Sequence, residues 1–226
     1  LDAESHYNLG LNLQKLLRLE DAKACYERAI ELNSKYVAAY YNLGNTLKNL
    51  QNFDEAEKNY RIAISLNTKF AEAHNNLGTA LHAQGKKDDA ISSLKNAIAL
   101  RPLNPDFHNN LGNVFRDSGR TDEAKRSFER SIQLKPDFSE ALVNLGNLLH
   151  AQGLTADCLE HFKEAMCADP QSFRFRWCYT ICQLPKVAVS QDAFRESYAR
   201  FESEIESTST LFDDNSSESC LLYTSD

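Results

Sequence analysis

The stretch His74-Asn75-Asn76-Leu77-Gly78 returns as His108-Asn109-Asn110-Leu111-Gly112, 34 residues further along. Sliding the sequence against itself by that interval also aligns Gly10, Gly44 and Gly146, each preceded by Leu and, before Leu, by Asn. Five matches at one period define a repeat array. In the first copy His6, Leu9, Gly10 and Leu13 fall on one stripe of a helix, and Ala22, Tyr26, Ala29 and Ile30 form a second stripe. Between the stripes Gly85, Gly119 and Gly153 sit where a left-handed C-cap is wanted, and acidic pairs such as Asp54-Glu55 and Asp122-Glu123 open the next helix. Pro102, Pro136 and Pro170 deny the second helices a further turn. Leu17 and Gln51 replace the cap glycine in the first two copies, which predicts differently built turns there.

Each copy therefore reads as a helix hairpin, with boundaries at 3–36, 37–70, 71–104, 105–138 and 139–172. Two amphipathic helices cannot cover their own apolar face, so the hairpins must stack, and the predicted fold is all-α, an open curved solenoid. Small residues such as Gly10 and Ala22 let the helices of a pair approach closely. Copy five is degenerate, with Cys158 in the alanine place. Residues 173–206 are expected to form capping or connector helices, the first opening with RFRWCYTICQ and halting at Pro185, the second carrying Phe194, Tyr198, Phe201 and Ile205 on one stripe. Residues 207–219 read as a disordered polar linker. The last seven, Cys220 to Asp226, resemble the translated ligation end of a transposase-based sequencing adapter and are set aside from the fold. With Leu1 first and Met166 the only methionine, the expectation is a fragment whose natural chain extends at both ends.

Composition narrows the function classes. The 226 residues are 42% hydrophobic and 25% charged, ample for a buried core, and the net charge of −7 repels nucleic acid and anionic membrane surfaces. Cys25, Cys158, Cys167, Cys178, Cys182 and Cys220 show no disulfide framework and no C-x-x-C pair, which points to free thiols in a reducing, cytoplasmic setting. Cys158-x-x-His161 with Cys167 is the best metal-like grouping, but no paired motif supports zinc. His6, His74 and His108 read as packed rings in the aromatic slot that Tyr40 fills in copy two. No phosphate-binding loop, catalytic triad signature or cofactor motif is present, so no catalytic residue and no cofactor is assigned within this chain.

Asparagine is a poor helix former, yet Asn8, Asn42, Asn76, Asn110 and Asn144 hold one register. At 100° per residue Asn8 lies roughly 200° around the helix from His6, which turns it away from the core stripe. Five such residues cost roughly 3 kcal/mol relative to alanine. One compensation is structural, an amide bonding to the neighbouring repeat for about 1 kcal/mol. The favoured alternative is that the row lines the concave groove and pairs with the peptide groups of an extended protein ligand, neighbouring rungs lying roughly 10 Å apart, or about three residues of extended chain. On that reading, replacing Asn76 and Asn110 by Ala weakens peptide binding at unchanged stability. Asn45, Asn113 and Asn147, one turn on, extend the candidate peptide-binding set, while Glu4, Glu72, Asp106 and Glu140 serve the helix dipoles. The groove reads as polar and not basic.

The spaced small and large residues of 3–172 resemble the tetratricopeptide repeat family, which implies a protein-binding solenoid. More narrowly, an Asn before Leu-Gly in every copy resembles the substrate-binding arm of O-linked N-acetylglucosamine transferases and their SPINDLY-type bacterial relatives. That resemblance implies that Asn8, Asn42, Asn76, Asn110 and Asn144 hold an acceptor polypeptide by its backbone. The segment RWCYTICQLPKVAVS, followed by Phe194 to Phe201, resembles the connector to the glycosyltransferase domain of bacterial members. If so, the parent protein is a protein O-glycosyltransferase whose catalytic groups lie beyond Asp226; the alternative is a stand-alone adaptor.

Overall fold

The computed structural model describes residues 2–169 together with Ser172, Cys178, Tyr179 and Cys182. Ten helices, and no strand, occur among the described residues: α1 (Ala3–Lys15), α2 (Leu19–Leu32), α3 (Val37–Asn49), α4 (Phe53–Leu66), α5 (Ala71–Ala83), α6 (Lys87–Leu100), α7 (Pro105–Asp117), α8 (Thr121–Leu134), α9 (Ser139–Ala151) and α10 (Thr155–Ala168). Each 34-residue copy thus holds one helix pair. Of the expected capping or connector helices at 173–206 only Cys178, Tyr179 and Cys182 are described, and they are helical; the linker at 207–219 and the terminal segment 220–226 lie outside the described residues. No helix among the described residues is long and apolar enough to cross a membrane.

The chain divides into two compact units, Leu1–Ser127 and Phe128–Asp226, the division falling inside α8. In the first unit every helix from α1 to α7 packs on the next, and α1 also touches α3, α3 touches α5, and α5 touches α7. Among α2, α4 and α6 no such contacts occur. A stack that is tighter in its odd layer curves toward that layer, so α1, α3, α5 and α7 form the inner wall of this unit. In the second unit α9 and α10 pack as a hairpin.

Close approach within a pair rests on the repeat glycine. A Cβ built on Gly10 would lie 2.7 Å from the Tyr26 ring, and one on Gly44 2.6 Å from Tyr60. The same contact recurs between Gly78 and Leu94, and in the second unit between Gly146 and Phe162. Only a residue without a side chain lets these large groups pass over the odd helix. Three members of the second stripe are fully buried, Ala22, Tyr26 and Ala29 of α2 and again Ala56, Tyr60 and Ala63 of α4, while Ile30 and Ile64 are half-buried. Stacking between copies is visible where Ala71, Ala97 and Phe107 join α5, α6 and α7 in one apolar cluster, with Ile98 at its edge.

Two expectations are corrected. Leu9, placed in the core stripe, is 44% exposed, whereas its equivalent Leu43 is 5% exposed. That leucine is covered by the preceding hairpin and not by its own, which a stripe drawn on one helix cannot reveal. The turns at Leu17 and Gln51, expected to differ, have the same form as the glycine turns: φ is 57° and 59° at these residues, against 77°, 73° and 83° at Gly85, Gly119 and Gly153. The closing bonds agree as well, with Arg18 N donating to Leu13 O and Asn52 N to Leu47 O at 2.9 Å, as Lys86 N does to Leu81 O. Helix packing on both sides imposes the left-handed residue whatever its side chain.

An L side chain in that conformation costs about 1–2 kcal/mol, part of which a glycine recovers at the expense of a freer unfolded chain. Gln51→Gly is therefore expected to raise unfolding free energy by about 0.5–1 kcal/mol, and Gly119→Ala to lower it by about 1 kcal/mol, both read from urea denaturation. No atom lies within 4 Å of a Cβ on Gly119, so the second effect isolates the backbone term.

Candidate functional site

The inner wall of the first unit is built from three registers on each odd helix: the repeat asparagine, the residue before it, and the residue one turn on. Its defining feature is a set of side-chain bonds between successive copies. Asn42 Nδ2 donates to the Tyr7 hydroxyl at 2.9 Å, Asn76 Nδ2 to the Tyr41 hydroxyl at 3.0 Å, and Asn110 Nδ2 to Asn75 Oδ1 at 2.9 Å. All three span 35 residues, one repeat plus one position. Side chains on a helix lean toward its N-terminus, so an amide reaching sideways to a helix in the same orientation meets the residue just before its own equivalent.

A second tier ties the even helices to this wall. Asn45 Oδ1 accepts from Asn76 Nδ2 at 2.8 Å and from the Tyr60 hydroxyl at 2.8 Å, linking α3, α4 and α5 at one atom. Asn75 Nδ2 donates to Asn76 Oδ1 at 3.0 Å, and in copy one the Tyr26 hydroxyl donates to Gln14 Oε1 at 2.8 Å. Aromatic pairs back the wall, Tyr7 with Tyr36 at 4.9 Å between ring centroids and Tyr41 with Phe70 at 4.7 Å. Burial pushes the Tyr7 and Tyr41 hydroxyls above the usual phenol range, which keeps them protonated. Each accepts from an asparagine and retains its own proton to donate.

The sequence-predicted site residues fall into distinct environments. Asn8 is exposed; Asn42, Asn76 and Asn110 are half-buried at the seam between odd helices. Asn144, in the second unit, is buried at 8% exposure, and Asn147 is exposed. Asn45 is enclosed in the network just described, and Asn113 Oδ1 is buried with no hydrogen-bond partner. The amides at 42, 76 and 110 thus do not stand clear in the groove. A wheel drawn on one helix leaves out the neighbouring odd helix, which occupies the side to which they point. For these three the inter-repeat bond is present, and any ligand contact is made with the bonding capacity left over.

Sequence reasoning missed the acceptors Tyr7, Tyr41 and Asn75. Their signal was a hydrogen-bonding side chain immediately before the repeat asparagine, Tyr, Tyr, Asn and Asn in the first four copies, changing to Val143 in the fifth. It also missed a basic register near the end of the odd helices, Lys48, His82, Arg116 and His150. Lys48 is half-buried, with no carboxylate paired to it among the described residues, and burial holds its ammonium below the usual lysine range. His82 Nε2 lies 3.0 Å from Asp117 Oδ2, and Arg116 Nε 2.9 Å from Asp117 Oδ1. Asp117 thus pairs with Arg116 and faces His82, whereas Lys48 has no such carboxylate among the described residues. His74 and His108, read as packed rings, are half-buried with Nε2 at 3.4 Å from Thr68 O and 3.0 Å from Pro102 O, each on the loop before its helix.

A family model described as TPR repeat matches residues 18–51, 44–85, 78–115 and 112–153. Among solved structures the chain is similar to MamA, at 26% identity and a TM-score of 0.65, over 72% of this chain and 95% of that one. It is also similar to YrrB, described as a TPR protein with an unusual peptide-binding site, at 25% identity and a TM-score of 0.60, over 77% and 89%. A thermophilic TPR protein of Thermus thermophilus shares the fold at 24% identity and a TM-score of 0.68, over 81% and 100%. No curated protein sequence matches the chain.

The seam makes Asn76 and Asn8 opposites. Asn76→Ala removes donors to two acceptors and is expected to cost about 1–2 kcal/mol, less about 0.5 kcal/mol regained in helix propensity. Asn8→Ala, which removes no such bond, is expected to be neutral or to stabilise by a few tenths of a kcal/mol. Urea denaturation of the two variants beside the parent chain checks this, and equal effects would contradict the seam.

Proposed function

The chain belongs to the tetratricopeptide repeat family of protein-binding modules, and we propose that its odd-helix wall holds an extended polypeptide by the main chain. The observation that carries this reading is the seam: with Asn42, Asn76 and Asn110 each anchored to the preceding copy, the wall keeps further bonding capacity at successive copies. Tyr7 and Tyr41 keep hydroxyl protons to donate to ligand carbonyls, and Asn110 keeps its Oδ1 and a second N–H. Asn8 is exposed, so its amide faces solvent. Copies about 10 Å apart match every third residue of an extended chain. Contacts of this kind read backbone, which suits a receptor for unstructured segments of varied sequence. Asn42, Asn76 and Asn45 then act as supports for that row.

Two parent proteins fit such a wall. One is a stand-alone adaptor; the other is the substrate-holding arm of a protein O-glycosyltransferase similar to the O-linked N-acetylglucosamine transferases. The second rests on the Asn-Leu-Gly register and the connector-like segment alone, and the structural neighbours favour neither. Reading the source DNA past Ser219 separates them: an α/β domain in frame supports the transferase, and a stop codon within a few codons supports the adaptor.

Because Asn8 has no structural bond to lose, it is the clean probe of binding. Titrating unstructured peptides of mixed sequence against the chain, followed by fluorescence anisotropy, is expected to show saturable binding that Asn8→Ala weakens by about fivefold, the equivalent of one hydrogen bond. Absence of binding by every such peptide, or equal affinity in the variant, contradicts the proposal.

A further inference from the structure

In the second unit Cys158 Sγ lies 3.3 Å from Cys182 Sγ, and both thiols are buried, at 0% and 3% exposure. The two residues are 24 apart, and the repeat places that pair in a defined register. The same two positions are occupied by Ala22 and Thr46, by Ala56 and Ala80, and by Ala90 and Val114 in the first three copies, all buried. In each pair the first residue lies on an even helix and the second on the odd helix of the following copy. In every one of them the residues are small or aliphatic and chemically inert; only at the fifth copy does the register hold two thiols facing each other. A further contact fixes the same register, since Lys163 Nζ lies 5.9 Å from the centroid of the Tyr179 ring, one helical turn before Cys182.

We propose that Cys158 and Cys182 are a paired oxidation site, and that a disulfide between them ties Cys182 covalently to α10. The oxidant is a small disulfide such as glutathione disulfide. One protein thiolate attacks it, forming a mixed disulfide and releasing one glutathione; the second thiolate then attacks the protein sulfur of that mixed disulfide, closing the Cys158–Cys182 bond and releasing the other glutathione. The two protons lost by the protein thiols end on the two glutathione thiols, and both electrons go to the oxidant. Closing the bond requires the sulfurs to approach from 3.3 Å to about 2.05 Å, a shift within reach of side-chain rotation. Because both thiols are buried, the reaction proceeds through transient exposure of the pair, so it is slow from the closed state and reports on that opening. Reduced, Cys182 is held beside α10 by non-covalent contacts; oxidised, it cannot leave α10.

The test uses the full chain, incubated with glutathione disulfide, blocked with N-ethylmaleimide in denaturant and mapped by mass spectrometry. The expected product has lost the mass of two hydrogens, yields one crosslinked peptide containing Cys158 and Cys182, and melts about 5 °C higher, a rise that dithiothreitol reverses and that the Cys182→Ser chain does not show. Recovery of both residues as maleimide adducts, or their crosslinking to other cysteines, overturns the proposal. Since the mapping is done on the unsubstituted chain, a failure of the Cys182→Ser chain to fold leaves that outcome decisive.

Discussion

In the first unit the bond from Asn42, Asn76 and Asn110 to the copy before each ties successive odd helices together, and the geometry of the inner wall follows from that tie. A lone hairpin of this kind has an uncovered apolar face and no reason to hold one position against its neighbour beyond fit. Apolar contact alone is tolerant of sliding, whereas a donor that must meet a hydroxyl or carbonyl oxygen within hydrogen-bond distance is not. Asn42, Asn76 and Asn110 impose that condition at three successive seams, always across the same sequence interval. The helix-propensity penalty of asparagine is offset by the bond, and a partly buried setting makes leaving it unmade expensive.

Around that constraint the remaining features have separate duties. The repeat glycine lets a tyrosine, leucine or phenylalanine of the even helix pass across the odd one, which fixes the hairpin internally. The hydroxyls of Tyr26 and Tyr60 then cross to the odd layer, where Gln14 and Asn45 receive them. Copies three to five replace that tyrosine by Leu94, Phe128 and Phe162, so this bond is confined to the first two. The Asn113 acceptor, equivalent to Asn45, is correspondingly left without a donor.

Most of the fold was legible because period, glycine and stop signals all agree. The ten helices fall where the two stripes of each copy put them. What was not legible concerns relations between copies. Leu9 reads as core by its own helix but needs a preceding hairpin to be buried. Leu17 and Gln51 read as exceptions to a glycine rule, yet stacking imposes the same left-handed turn on them. The bonds of Asn42, Asn76 and Asn110 to the preceding copy went unread because a helical wheel has no neighbour in it. Tyr7, Tyr41 and Asn75 went unnoticed because their role is defined across a 35-residue step that does not match the repeat period. The pairing of Cys158 with Cys182 had the same origin: neither residue is unusual until the register places them together.

The central claim is that the row asparagine and the residue before its equivalent act as one unit across the seam. A double-mutant cycle of Tyr41→Phe and Asn76→Ala, measured by chemical denaturation of the two single variants, the pair and the parent chain, tests it most directly. Tyr41→Phe keeps the ring against Phe70 and removes only the hydroxyl that accepts from Asn76. The expected result is a coupling energy of about 0.5–1 kcal/mol between the two positions; strictly additive effects, within about 0.3 kcal/mol, would contradict the account.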